Sequence, residues 1–323
     1  MSDGLRNPFS RAFWRSRRPP HAFVLTRDRL VYVGPADGAR RSALSVAPAF
    51  RVVSRPVPPD TFAPGEDGSP LAGPALSGAL QRLLAEAGAK IPAASLVVPD
   101  GWVKLLVIDA VQPESHAREV DDMLRWKFGR AFGEPAGELR LSWQPAGAGT
   151  DGTRVLALAA AEQAASSWEA PFEKAGIRIG ALETAAFAVS SLGARTIGDG
   201  FLVWTDDDTA TTLVFTGSQL RFARTRPYAE ASEAVQDVRH AVAFGMPDRP
   251  PEAPPADVAG KCAAGPPESR VLEDLRAFRA AAGASEPDLL TLSRLAPGAT
   301  VTPSAAAQDP ATLAALGALA GGD

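Results

Sequence analysis

The sequence predicts a mixed α/β protein arranged as two lobes. Two patterns point there. Short apolar strand-like runs and amphipathic helices follow one another as β-β-α-β-β-α-β-α through the first 192 residues, which is neither all-β nor a simple parallel βαβ array. A second β-meander then begins near Gly198 and runs into a further helix. Hydrophobic residues make up 46% and charged residues 22% of the 323, enough to fill a core in each lobe.

Each element has a local reason. Phe23–Val33 reads as two short strands turning near Arg27-Asp28, and Ser42–Val46 and Phe50–Val57 continue the β pattern. Pro58–Pro74, rich in Pro, Gly and Asp, reads as a loop. Leu76, Leu80, Leu83 and Leu84 recur at helical spacing in Ala75–Ala87, and Gly88 can close that helix. Ser95–Val98 and Trp102–Ile108 read as strands around Pro99-Asp100-Gly101. Pro113–Phe128 reads as a helix with Val120, Met123, Leu124 and Phe128 on one face. Strands Leu139–Gln144 and Arg154–Ala160, helix Ala161–Ala175, strand Ile177–Leu182 and helix Thr184–Leu192 complete the first part.

The second part predicts strands Phe201–Thr205, Thr211–Thr216 and Gln219–Thr225, then helix Ala229–Phe244. Residues 245–267 hold seven prolines, a density expected to forbid regular structure and make a surface excursion. Helix Arg270–Ala282, strand Asp288–Leu292 and helix Ala311–Leu319 follow.

Composition excludes several function classes. A net charge of -4 gives no overall attraction to nucleic acid. One cysteine, Cys262, forms no intrachain disulfide and no cysteine-rich metal site, which suits a reducing compartment. His21, His116 and His240 are far apart and lie in no metal-ligand spacing. GxxxxGK[ST] and GxSxG are absent. Asp206-Asp207-Asp208 reads as a solvated turn, since consecutive side chains diverge and a cation cage needs convergence. No apolar run approaches the ~20 residues of a spanning helix. Residues 6–18 hold five arginines with Phe9, Phe13 and Trp14, a basic arm that is either frayed or laid on an anionic membrane face.

A series of segments then matches a known family in order. Leu96-Val-Val-Pro-Asp100 resembles its strand ending in Pro-Asp, and Trp102–Ile108 its next strand. Glu119–Trp126 resembles a helix closing on Arg-Trp, and Glu134-Pro135 with Leu141-Ser-Trp-Gln144 the proline and strand that follow it. Val155–Ala161, Ala175-Gly-Ile-Arg178, Leu182-Glu-Thr-Ala-Ala186 and Phe201–Tyr228 continue the match. Over about residues 95–227 the chain resembles the PilM family of type IV pilus assembly proteins and, more distantly, the cytoplasmic part of the type II secretion L protein. The resemblance implies an actin-like, FtsA/PilM-like bilobal fold. It would have a basic arm over 1–22, a first lobe over 23–197 with a small inserted subdomain at about 95–182, and a second lobe over 198–323.

That fold implies two phosphate-binding hairpins of the type Asp-(x)-Gly, in which glycine admits backbone N–H groups to the phosphate and aspartate acts through a metal ion. The first would be Leu25-Thr26-Arg27-Asp28-Arg29-Leu30, with no glycine. The second would be Val203–Thr209, with Trp204 in place of the aspartate, Asp206 in place of the glycine, and Asp207 and Asp208 beside it. Clustered carboxylates would repel a triphosphate by roughly 1–4 kcal/mol per charge pair at about 4 Å. No Gly-Gly turn for an adenosine is found at Asp288–Pro297. The expectation is therefore a pseudo-ATPase with no cofactor, no metal and no catalytic residue.

The resemblance implies a scaffold at the cytoplasmic face of the inner membrane. It would grip the N-terminal tail of a single-pass, PilN-like partner beside the inserted subdomain and contact other pilus platform or motor proteins. Trp102, Lys104, Arg125, Trp126 and Trp143 are the candidates for that groove, with core packing at least as strong a reading for Trp126 and Trp143. Rival readings are an active actin-like ATPase, a sugar- or acetate-kinase-type phosphotransferase, and an unrelated α/β protein.

Overall fold

The computed structural model describes residues 18–36, 49–65, 68–111, 117–133, 138–148, 152–197, 200–206, 208–216, 219–245, 263–264, 300–302 and 309–320. In chain order these form β1 (Ala22–Leu25), β2 (Arg29–Pro35), β3 (Ala49–Pro56), a 3-10 turn (Pro59–Thr61), β4 (Phe62–Pro64), β5 (Pro70–Ala72), α1 (Pro74–Ala87), β6 (Ala93–Val98) and a second 3-10 turn (Asp100–Trp102). Then come β7 (Lys104–Val111), α2 (Ala117–Phe132), β8 (Leu139–Ala148), β9 (Thr153–Ala161), α3 (Glu162–Lys174), β10 (Arg178–Thr184) and α4 (Ala185–Ile197). The chain continues with β11 (Gly200–Thr205), β12 (Thr209–Thr216), β13 (Gln219–Pro227), α5 (Ala231–Gly245), β14 (Ala263–Ala264), β15 (Thr300–Thr302) and α6 (Pro310–Ala320).

Six strands form the central sheet in the order β10-β6-β1-β2-β3-β15. Its inner strands are largely apolar on both sides because both faces are covered. Phe23, Leu25, Leu30, Tyr32, Leu96 and Val98 pack with Leu76, Leu80 and Leu83 of α1 and Trp168 and Phe172 of α3. Val24, Val31, Val33 and Val97 point the other way, onto Ala185, Ala188 and Val189 of α4 and Leu313, Ala314 and Leu316 of α6. Helix α1 ends as its sequence demands: Gly88 turns left-handed at φ 62° and returns its N–H to the Leu84 carbonyl.

A separate antiparallel sheet, β7-β9-β8, packs one face on α2 through Ile108, Val120, Leu124, Phe128, Trp143, Val155 and Ala157. The inserted unit is thus narrower than the expected 95–182. It comprises 104–161, because β6 and β10 pair in parallel with each other inside the central sheet and α3 belongs to that sheet's core. The second lobe's sheet is β13-β12-β11-β14, an antiparallel meander plus one parallel strand.

Other expectations are corrected. Pro58–Pro74 is not all loop; it contains a 3-10 turn and the hairpin β4–β5, tied to α3 where Trp168 Nε1 donates to the Pro70 carbonyl at 2.7 Å. Within 245–267, Ala263–Ala264 pairs with Val203–Trp204, since these residues carry N–H groups the prolines lack. Residues after 198 do not all stay in the second lobe. Strand β15 pairs with β3, and α6, apolar on all sides, is buried between the central sheet and α4. Asp309 caps α6, accepting from the Thr312 N–H at 3.1 Å and from Arg29 Nη2 at 2.7 Å. The predicted segments Ser42–Val46, Arg270–Ala282 and Asp288–Leu292 lie outside the described residues, as do most of the basic arm, His116 and Cys262. The arm's end is fixed: Arg18 meets the buried Glu183 at 2.5 Å and donates to the Ala318 carbonyl at 3.0 Å. Among the described residues no helix is long and apolar enough to cross a membrane.

Candidate functional site

The two hairpin tips that would cradle phosphates face each other. In the first, Thr26 makes a closed turn: its hydroxyl donates to Asp28 Oδ1 at 2.6 Å and accepts from the Arg29 N–H at 3.1 Å. Arg27 projects from the tip and meets Asp208 of the second hairpin, Nη2 to Oδ2, at 2.6 Å. Both side chains are about half exposed, so the pair is worth at most about 1 kcal/mol. It nevertheless occupies the approach between the turns with two side chains of this protein.

In the second tip, Asp206 is not solvated as expected of it. Trp204 is buried in the interlobe core, and its Nε1 donates to Asp206 Oδ1 at 3.1 Å. Tyr228 donates its hydroxyl to the Asp206 carbonyl at 2.7 Å, and the Asp206 N–H donates to the Thr209 carbonyl. Asp206 is therefore folded inward by an indole and a phenol. Asp207 lies outside the described residues. Among the described residues no three or more His, Cys, Asp or Glu side chains are grouped as metal ligands.

Sequence reasoning missed Asp100 as part of this region. It sits in the second 3-10 turn, almost fully buried, and accepts the Ala186 N–H at the start of α4, 3.2 Å to Oδ2. The adjacent Gly101 backbone lies so close to β12 that an added Cβ would fall 2.8 Å from the Thr209 side chain. Burial, reinforced by the negative charge of Asp206, pushes the Asp100 carboxyl up to about 8, against the Thr184 side chain and the Ala186 N–H. Asp100 and Asp206 thus form an acid pair where the first lobe meets the second. Only the Pro99-Asp100 turn was visible in sequence, because the groups that perturb Asp100 are more than 80 residues away.

The sign of the pH effect follows. The unfolded chain releases the Asp100 proton near 3.8, whereas the folded chain holds it to about 8. Between those values the folded state binds more protons, so stability falls as pH rises. An asparagine at this position would keep an acceptor for the Ala186 N–H and lose the titration. From pH 5 to pH 8 the stability of Asp100→Asn relative to the parent is expected to improve by about 2–4 kcal/mol in urea denaturation. An unchanged difference across that range would contradict the acid pair.

The five groove candidates do not converge. Trp102 is buried in the first lobe, its ring 4.6 Å from Phe62 and 5.4 Å from Trp168. Trp143 is buried beneath α2. Arg125 is a framework residue, bonded to Asp121 at 3.0 Å and to the Leu139 carbonyl at 2.8 Å. Lys104, at the start of β7, stands over the Phe132 ring at 5.5 Å. Trp126 is 58% exposed, so the core reading fails for it. Of the five, Lys104 and Trp126 are the two left to meet a partner.

No family model matches the sequence, and no curated protein matches it. Solved structures do match the fold. A PilM–PilN type IV pilus biogenesis complex aligns with a TM-score of 0.71 at 18% identity, over 95% of this chain and 99% of that one. A Bacteroides thetaiotaomicron protein of actin-like ATPase fold and unknown function aligns with a TM-score of 0.50 at 8% identity, over 96% and 98%. The cytoplasmic domain of EpsL from the Vibrio cholerae type II secretion system aligns more weakly, with a TM-score of 0.42 at 8% identity, over 67% and 73%. The fold of this chain is actin-like, bilobal, with a small α/β unit inserted in the first lobe.

Proposed function

We propose that this protein is a non-catalytic scaffold of a type IV pilus or related secretion platform. It works at the cytoplasmic face of the inner membrane and docks the N-terminal tail of a single-pass, PilN-like partner. The observation that carries the reading is the likeness to the PilM–PilN complex over nearly the whole length of both chains. The filled phosphate site supports the non-catalytic part. Trp204 packs where a metal-associated aspartate would act, Asp206 is bound inward, and Arg27 meets Asp208 across the gap.

The docking surface follows from the inserted sheet. Strand β7 is an edge of β7-β9-β8, and its N–H and C=O groups on that side can take an extended peptide as a fourth strand. Lys104 at its start, with Phe132 beneath the ammonium, gives the edge a cationic, aromatic entrance. Other pilus platform and motor proteins are further partners, and the basic N-terminal arm is a second membrane contact.

The test is co-purification with a PilN-like single-pass membrane protein. Capture should be lost when that protein's first residues are deleted, and should weaken about tenfold on Lys104→Glu. Capture that survives the deletion would overturn the tail-docking role.

A further inference from the structure

Helix α2 carries two stripes. Val120, Leu124 and Phe128 form the buried one. Beside it Glu119, Asp122, Met123, Trp126, Lys127 and Arg130 follow one another at the i, i+3, i+4, i+7 spacing of a helical seam, with Met123 at the border, where it also packs against the buried cluster. Glu119, Asp122, Trp126 and Arg130 are exposed, and Met123 and Lys127 are half-buried. The charges are segregated, with acids in the first half and cations in the second. Arg130 lies 5.5 Å from the Trp126 ring centre. Among the described residues Asp122, Lys127 and Arg130 make no ion pair. The helix dipole accounts for cations near its C-terminus. It does not account for an exposed tryptophan between the two charge blocks.

We propose that this seam pairs with the same seam of a second copy of the chain, the two α2 helices running antiparallel about a two-fold axis. Placing the axis between residues 124 and 125 sets Asp122 opposite Lys127 of the other copy, Glu119 opposite Arg130, and Trp126 opposite Met123. Every contact then occurs twice, as a two-fold interface requires, and each sets an acid against a cation or an indole against a thioether.

The charge order selects this occupant. An anionic bilayer would extend past the whole helix and bring phosphates near Asp122, about 8 Å along the axis from Lys127 and so within a Debye length. A uniformly acidic partner meets the same repulsion. A reversed copy of the seam meets none. One helix pair of this length falls short of the ~1,000 Å² of a stable specific interface, so the dimer is weak, with a dissociation constant of about 10–100 µM at low salt. High local concentration on an assembled platform would favour it. The inference goes beyond tail docking, which uses the β7 edge and has a separate readout.

Sedimentation equilibrium of the full chain at low salt tests it. The parent protein is expected to form a dimer that weakens with added salt. Asp122→Lys and Lys127→Asp should each weaken self-association at least tenfold, because each puts like charges at both symmetric contacts. The double variant D122K/K127D should recover the parent's affinity, and an equimolar mixture of the two single variants should form the heterodimer. Circular dichroism checks that these surface variants are folded. A monomeric parent, or single variants that dimerise as the parent does, would overturn the proposal. So would a double variant that fails to recover. A monomer whose Trp126 fluorescence responds instead to the partner's tail or to phosphatidylserine vesicles would assign the face to that occupant and sink the self-pairing.

Discussion

Gly317→Ala, the addition of one methyl group, is expected to lower the unfolding free energy by about 3 kcal/mol or more. Overpacking ordinarily costs about 1–3 kcal/mol because side chains can shift. Here the obstacle is main chain. A Cβ on Gly317 would lie 1.9 Å from the Ala188 carbonyl oxygen and 2.3 Å from its carbon. Helices α4 and α6 touch backbone to backbone at this point, and neither has room to retreat. Ala188, Ala314, Ala315 and Ala318 are all fully buried. Moving α6 outward would also strain Asp309, which holds both the cap and Arg29. Urea denaturation measures the loss, and a variant within 1 kcal/mol of the parent would refute this close packing.

Trp102→Ala and Trp126→Ala should separate stability from surface function. Trp102 packs among Phe62, Trp168 and the apolar residues of the first lobe's core, so its truncation is expected to cost about 3–5 kcal/mol. The neighbouring Trp168 would lose a ring partner while keeping its bond to Pro70. Trp126→Ala should change stability by less than about 0.5 kcal/mol, since more than half of its surface already faces solvent. Any loss of partner capture in Trp102→Ala should therefore track unfolding and recover on cooling. A folded, stable Trp102→Ala that still fails to bind would return Trp102 to the docking surface.

The parts of the fold that depend on neighbouring residues are legible in the sequence. The β1–β2 turn at Thr26–Asp28, the Gly88 helix stop, the Val120–Leu124–Phe128 stripe and the β11–β12–β13 meander all follow from local pattern. What depends on distant pairing is not. The limits of the inserted unit rest on the parallel pairing of β6 with β10, more than 80 residues apart, and the return of β15 and α6 on contacts with β3 and α4. The Arg18–Glu183 pair and the Asp100–Asp206 pair are invisible for the same reason. The placement of Trp126 was recoverable. A residue two positions after Leu124 and two before Phe128 must leave the buried side of the helix.

The absence of glycine from the phosphate turns is plain in the sequence, but what fills them is not. Local pattern carries no sign that Arg27 and Asp208 meet or that Trp204 reaches Asp206, because a turn's direction is fixed by the sheet behind it. Those contacts add a spatial argument to the missing residues in support of the proposed loss of nucleotide binding.

The most direct test is a calorimetric titration of the full chain with Mg-ATP. No saturable heat at millimolar nucleotide is the result that the proposed non-catalytic reading predicts, with Arg27 paired to Asp208 between the two turns and Asp206 bound by Trp204. A saturable isotherm with micromolar affinity would contradict the account and make the chain a working nucleotide-binding protein.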